Sequence, residues 1–152
     1  MSDKQIFDPG KLSIVEFKFI KGQVDTPEEF EIELIKGHLL ENSLQLSFNL
    51  KEKLVKSDFI IEIKTDSKGI NVKEATGNFH LVFIFNVENL NELTALDKKN
   101  KIRLNPELGN ALSSITYSTS RGILLTKLQG TAFHGFILPI INPNKLLDTN
   151  SQ

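Results

Sequence analysis

Few residues of this 152-residue chain are of a kind that does chemistry, and none stands at a spacing that organises a reaction. The three histidines are His38, His80 and His134. No two share the i, i+4 spacing that would place a metal pair on one helix face. His80 alternates with Phe79 and Leu81 in an apolar run and reads as a core or surface histidine. Ser113, Ser114, Ser118 and Ser120 cluster in one segment, but none sits in G-x-S-x-G and no strand precedes them to form a nucleophile elbow. They read as small contact residues. Acid–base work needs paired carboxylates in a cleft. Of Glu28, Glu29, Glu31 and Glu33, the last three fall on one side of an alternating run, so they read as a solvated face, with a partner-docking surface as the alternative. The run Lys98-Lys99-Asn100-Lys101-Ile102-Arg103 has no interleaved aromatic platform for nucleic acid and reads as a solvated loop. Gly69, Gly77, Gly130 and Gly135 are isolated turn or strand glycines and make no phosphate loop. Cysteine is absent, which excludes disulfides, thiolate nucleophiles and cysteine-ligated metals. The expectation is a protein that is not an enzyme and takes no metal or cofactor.

What remains is apolar surface. The chain has eleven phenylalanines, one tyrosine and no tryptophan. Phenylalanine needs no hydrogen-bond partner, so it suits dry cores and apolar grooves. A net charge of −1 gives neither a nucleic-acid footprint nor an acidic tail. The opening MSDKQIFDPGK lacks the apolar core of a signal peptide. The run Phe136–Ile141 is too short to span a bilayer and is broken by Pro139. A cytoplasmic setting without membrane insertion is expected, and the lack of cysteine agrees with it. The length points to one domain.

The elements that must position these side chains follow from periodicity. Residues 12–22 alternate, with Val15, Phe17 and Phe19 opposite Glu16 and Lys18. Thr26-Pro27 is a break. A second alternation runs over 29–36, with Phe30, Ile32 and Leu34 on one side, and a third over 44–51, with Leu44, Leu46, Phe48 and Leu50. Residues 59–64 and 79–87 complete the strands, the last apolar on both faces and expected to be covered on both. Glu41-Asn42-Ser43, residues 65–69 and Thr76-Gly77-Asn78 carry turn signals. The common period of two predicts one antiparallel sheet. Residues 88–104 read as a connection with one helical turn near Glu92.

At Asn105 the period changes. Asn105 is a good N-cap, Pro106 sits where its missing N–H costs nothing, and Glu107 complements the helix dipole. A helix is predicted to end near Ser120-Arg121-Gly122, with Arg121 in a structural part at that end. It is rich in serine and threonine, so packing must hold it. Gly109, Ala111, Ser113, Ser114, Ser118 and Gly122 would let another backbone approach closely. Beyond Gly130 the chain reads as extended and apolar up to Pro139 and Pro143, and Asn144–Leu147 as a short terminal helix.

From Asn105 to Leu147 the order is a capped helix reaching Ser120-Arg121-Gly122, an apolar stretch, Leu138-Pro139-Ile140-Ile141-Asn142, and a tail with Leu146-Leu147. Behind a run of long alternating strands, that order resembles the SecB family of protein-export chaperones over residues 12–147. The resemblance implies an α+β fold: a four-stranded antiparallel sheet, a long helix from the C-terminal half packed beside it, and a short terminal helix. It implies a single domain over 1–152 with flexible ends at 1–11 and 149–152, and a homotetramer built as a dimer of dimers. In the family, long apolar grooves hold unfolded preproteins for the export motor SecA without ATP, and similar proteins serve as chaperones of antitoxins. The expected client-binding residues are Phe17, Phe19, Leu46, Phe48, Phe133, Phe136 and Ile137. The expected oligomer interface is Gly109, Ser113, Ser114 and Ser118. Export SecB chains are typically markedly acidic. This one is near neutral, with Lys18, Lys51, Lys53 and Lys64 among its strand residues, so SecA docking is expected to be weak or absent. The alternatives are a chaperone dedicated to an antitoxin and an oligomeric interaction module that is not a chaperone.

Overall fold

The computed structural model describes residues 6–150. Strands β1 (Leu12–Asp25), β2 (Ile35–Asn49), β3 (Leu54–Ser67) and β4 (Thr76–Val87) form an antiparallel sheet in the order β1-β4-β3-β2. A small hairpin follows, β5 (Thr94–Leu96) with β6 (Ile102–Leu104), then helices α1 (Pro106–Lys127) and α2 (Asn144–Asn150). The expected four-stranded α+β architecture is present. The flexible ends expected at 1–11 and 149–152 fall partly on residues 1–5, 151 and 152, outside the described residues. Asp8 caps a 3-10 turn at Pro9–Lys11 through a bond from Gly10 N–H (2.9 Å).

The sheet order forces the first correction. β1 and β2 lie on opposite edges, so the chain between them must cross the width of the sheet. Residues 29–36 are therefore not a strand. Phe30 N–H bonds Pro27 O (3.1 Å), Ile32–Leu34 is a 3-10 turn, and β2 begins only at Ile35. From there β2 runs unbroken through Glu41-Asn42-Ser43. These residues face Glu62, Ile61 and Ile60 of β3, whose ladder overrides their turn propensity. The reversal comes instead after Asn49, where Lys53 is left-handed (φ 59°) and Asn49 Oδ1 accepts from Glu52 N–H (3.1 Å). The turn signal at Thr76-Gly77-Asn78 likewise opens β4, and Gly69 (φ 121°) and Asn71 (φ 58°) lie in the loop ahead of it. In β1 the pairing to β4 slips at Ile14/Glu16 and at Phe19/Lys21. The first slip leaves Val15 without a partner, so Ile14, Phe17 and Phe19 register with the core-facing Phe85, Phe83 and Leu81.

One face of the sheet carries the core. Val55, Phe59, Ile61 and Ile63 of β3 and Phe79, Leu81, Phe83 and Phe85 of β4 are buried. α1 covers β3: Phe59 packs on Tyr117 (5.6 Å), and Thr116 Oγ1 donates to Ser57 Oγ (2.9 Å) with both hydroxyls buried. α2 lies against β2 and α1. The second face of β4, expected to be covered as fully as the first, is so only in part. Val82 is buried there, but His80 and Ile84 are half-exposed, and His80 Nε2 hydrogen-bonds Asp58 Oδ1 (2.7 Å).

The helix starts as its sequence dictates. Asn105 Oδ1 accepts from the N–H groups of Glu107 (2.9 Å) and Leu108 (3.1 Å). It does not stop at Gly122. Leu124 and Leu128 continue the buried stripe of Leu112, Tyr117 and Ser120, and this burial carries the helix on to Lys127. Gly130, left-handed at φ 78°, follows the end. Residues 128–135 then turn repeatedly instead of running extended.

Candidate functional site

An open groove of about 520 Å³ lies between the crossover and the chain that leaves α1. Thr26, Phe30 and Ile32 form one wall, and Gln129, Gly130, Thr131, Ala132 and His134 form the other. The crossover turns set the first wall, leaving Phe30 half-buried and Ile32 43% exposed. The second is shaped by short-range bonds. Thr131 Oγ1 donates to Leu128 O (2.7 Å) and accepts from Phe133 N–H (3.1 Å), and Phe136 N–H reaches Phe133 O (2.8 Å). Glu28, Glu31 and Glu33 stand exposed along the crossover, and Glu29 pairs with Lys73 (3.5 Å).

Behind the second wall, His38 of β2 packs against Phe133 (6.0 Å) and Phe136 (5.1 Å). Burial of the imidazole lowers its pKa below the usual histidine value. Phe133 also lies over Gly77, where a Cβ would stand 3.3 Å from its ring. The next stretch is pinned to α1. Arg121 donates to Leu138 O (3.0 Å) and Pro139 O (3.2 Å), and Tyr117 Oη donates to Pro139 O (2.5 Å). Burial raises the Tyr117 pKa, and the Arg121 guanidinium, 5.2 Å over the ring, opposes that shift. Arg121 therefore acts in mid-helix, as a brace for a later segment and not as a helix-end cation.

The residues expected to bind clients fall into three places. Phe133 (0% exposed) and Phe136 are buried core, while Ile137 between them and Pro139 is 58% exposed. Phe17 is 41% exposed on β1, and Phe19 is half-buried beneath the Lys127 ammonium (5.5 Å). Leu46 and Phe48 are half-buried on β2 and pack against the core. The expected interface residues also divide. Gly109 is buried beside Leu104 and Leu147, and Ser113 is buried with its hydroxyl donated to Gly109 O (2.9 Å). Ser114 is half-buried and Ser118 exposed. Ser114 lines a second apolar groove of about 300 Å³ between β1 and α1, with Phe7, Leu12, Ile14, Phe85, Ala111 and Ile115.

Periodicity missed Phe30 and Ile32 as groove residues because it read them as one face of a strand. Tyr117 carried a signal: as the only tyrosine beside eleven phenylalanines, it had a hydroxyl to place. The basic run forms the tip of the β5–β6 hairpin, where Asp97 Oδ1 accepts from Lys99 and Lys101 N–H (2.8 and 2.9 Å). Those backbone bonds hold the Asp97 carboxyl below its usual range. Among the described residues, no group of three histidine, aspartate or glutamate side chains is placed to hold a metal, and no helix is long and apolar enough to cross a membrane.

A four-stranded antiparallel sheet with one long helix on its face and a short terminal helix is a SecB-like fold. The chain is similar to the Mycobacterium tuberculosis SecB-like chaperone Rv1957, solved in complex with a ChAD peptide from the Rv1956 HigA1 antitoxin. The TM-score is 0.61 at 11% identity, covering 87% of this chain and 91% of that one. No protein-family model and no curated protein sequence matches the chain.

Proposed function

We propose that this protein is an ATP-independent chaperone that holds an extended apolar segment of another polypeptide in the groove between the crossover and the 129–134 wall. The observation that carries this is the groove itself, open and with Phe30, Ile32 and Ala132 in its lining, on a fold shared with a chaperone solved with an antitoxin peptide. Ile32 is the exposed anchor in its wall, and burial of apolar client surface supplies the attraction, about 25 cal/mol per Å² before ordering costs. Unfolded preproteins are the proposed clients. A dedicated antitoxin is the second reading, favoured by the peptide bound to the structural neighbour. The setting is the cytoplasm.

The protomer assembles with itself, as a dimer of dimers. In support, β1 is a free sheet edge with Ile14, Val15, Phe17 and Ile20 all exposed, next to the β1–α1 groove. Ser114 and Ser118 belong to this contact, while Gly109 and Ser113 face the protomer's interior. SecA is a weak partner or none. The outer face of the sheet carries Glu16, Glu41, Asp58, Glu62 and Asp66 against Lys18, Lys21, Lys56 and Lys64, a nearly balanced field that would steer a basic partner only weakly.

The test is suppression of aggregation of several denatured proteins at stoichiometric amounts without ATP, for wild type and Ile32→Asp. Loss of holding in Ile32→Asp with unchanged circular dichroism and native mass supports the groove. A wild type that delays no client removes the general holdase. A variant as active as wild type moves the site elsewhere.

A further inference from the structure

Residues 130–141 are tied to the rest of the protein by few polar contacts. Their backbone bonds are local: Thr131 N–H to Leu128 O, His134 N–H to Thr131 O and Phe136 N–H to Phe133 O. Beyond the turn that joins this arm to α1, the hydrogen bonds linking it to another element, among the described residues, all come from two helix side chains. Arg121 holds Leu138 O and Pro139 O, and Tyr117 holds Pro139 O. The rest of the attachment is apolar: Phe133, Phe136 and Leu138 are buried, while Ile137 and Ile140 point out. The arm starts at the left-handed Gly130, and a Cβ built at Gly130 or Gly135 would meet nothing within 4 Å. The groove's second wall is the first part of this arm.

We propose that the arm is a movable wall of the groove and that Arg121 with Tyr117 is the latch that holds it closed. This rests on the client-holding function proposed above. With the arm lifted, His38 and the sheet surface under Phe133 and Phe136 join Phe30 and Ile32 in one longer apolar trough. A client segment with large apolar side chains would replace the arm's own phenylalanines there. The latch therefore opposes binding: the apparent affinity is the intrinsic one reduced by the fraction of molecules with the arm open. Arg121 is a positioning residue in this scheme. Its fork grips two consecutive carbonyls, which a lysine ammonium cannot do in the same geometry.

The experiment compares wild type, Arg121→Ala and Arg121→Lys. Two quantities are measured: amide exchange along the chain, and affinity for labelled reduced, carboxymethylated α-lactalbumin, a permanently unfolded polypeptide. A charge-assisted hydrogen bond shifts an equilibrium by about tenfold or more. Arg121→Ala is expected to exchange about tenfold faster over 130–141, with the sheet unchanged, and to bind the unfolded chain about tenfold more tightly. Arg121→Lys should fall between. Faster arm exchange with unchanged or weaker binding makes the bonds merely structural and overturns the proposal. Unchanged arm exchange overturns it as well. If Arg121→Ala does not fold, Tyr117→Phe removes one latch bond, keeps the ring, and carries the same expected signs. Binding absent from wild type and every variant sinks the client-holding function and the gate with it. Binding present but equal in all of them sinks the gate alone.

Discussion

Phe133→Ala separates core from groove most sharply. The side chain is fully buried between the sheet at Gly77 and the His38 ring, although it lies outside any helix or strand. A phenylalanine buries about 150–250 Å², which at about 25 cal/mol per Å² gives a gross term of about 4–6 kcal/mol. Measured Phe→Ala losses in cores run at about 3–5 kcal/mol. Among the described residues the arm has no long-range bonds between backbone groups and can settle into the vacated space, so the loss should sit near the lower end, about 3 kcal/mol. For a chain of this length each kcal/mol moves the melting temperature by about 2–4 °C, so Phe133→Ala should melt about 6–12 °C lower. Ile137→Ala, on an exposed side chain of the same arm, should change stability by less than about 0.5 kcal/mol. Urea and thermal unfolding followed by circular dichroism give both numbers. The same 3 kcal/mol bounds the resting population with the arm open to below about 1%. A Phe133→Ala protein melting within about 2 °C of wild type would refute this. The ring would then be out of the core in solution and the groove already open.

Three further outcomes follow from the geometry. Ser57→Ala or Thr116→Val alone should cost about 1–3 kcal/mol by leaving a buried hydroxyl without its partner, and the double variant should cost less than their sum; strict additivity in urea melts would show the bond is not formed. Because the folded-state pKa of His38 is lowered, the unfolded chain binds the extra proton first. The stability gained from the neutral ring is complete above about pH 6.5 and is lost as pH falls from there through the folded pKa, so the melting temperature should drop more steeply on that side for wild type than for His38→Leu; parallel pH profiles would contradict it. Asn105→Ala should cost about 1 kcal/mol, read by thermal unfolding, because Glu107 and Leu108 N–H lose their acceptor; an unchanged melting temperature would mean the cap is dispensable.

Some of this protein was fixed locally and could be read residue by residue. The start of α1 is legible because Asn105, Pro106 and Glu107 act on the backbone within three positions of themselves. The strand at Phe59, Ile61 and Ile63 is legible because a strand that buries one face repeats every two residues, although β3 itself runs from Leu54 to Ser67. The candidate groove is different. Phe30 and Ile32 alternate as a strand does, yet they lie on a crossover because β1 and β2 occupy opposite edges of the sheet, a fact set by pairings across the whole chain. Glu41-Asn42-Ser43 reads as a turn and is strand because β3 supplies a complete ladder beside it. Gly122 reads as a helix end and is passed because Leu124 and Leu128 find the core. Whether Phe133 and Phe136 would be groove or core could not be read from a phenylalanine-rich stretch. Burial depends on what lies opposite, here Gly77 and His38, and residues that distant in sequence are brought together only by the tertiary fold.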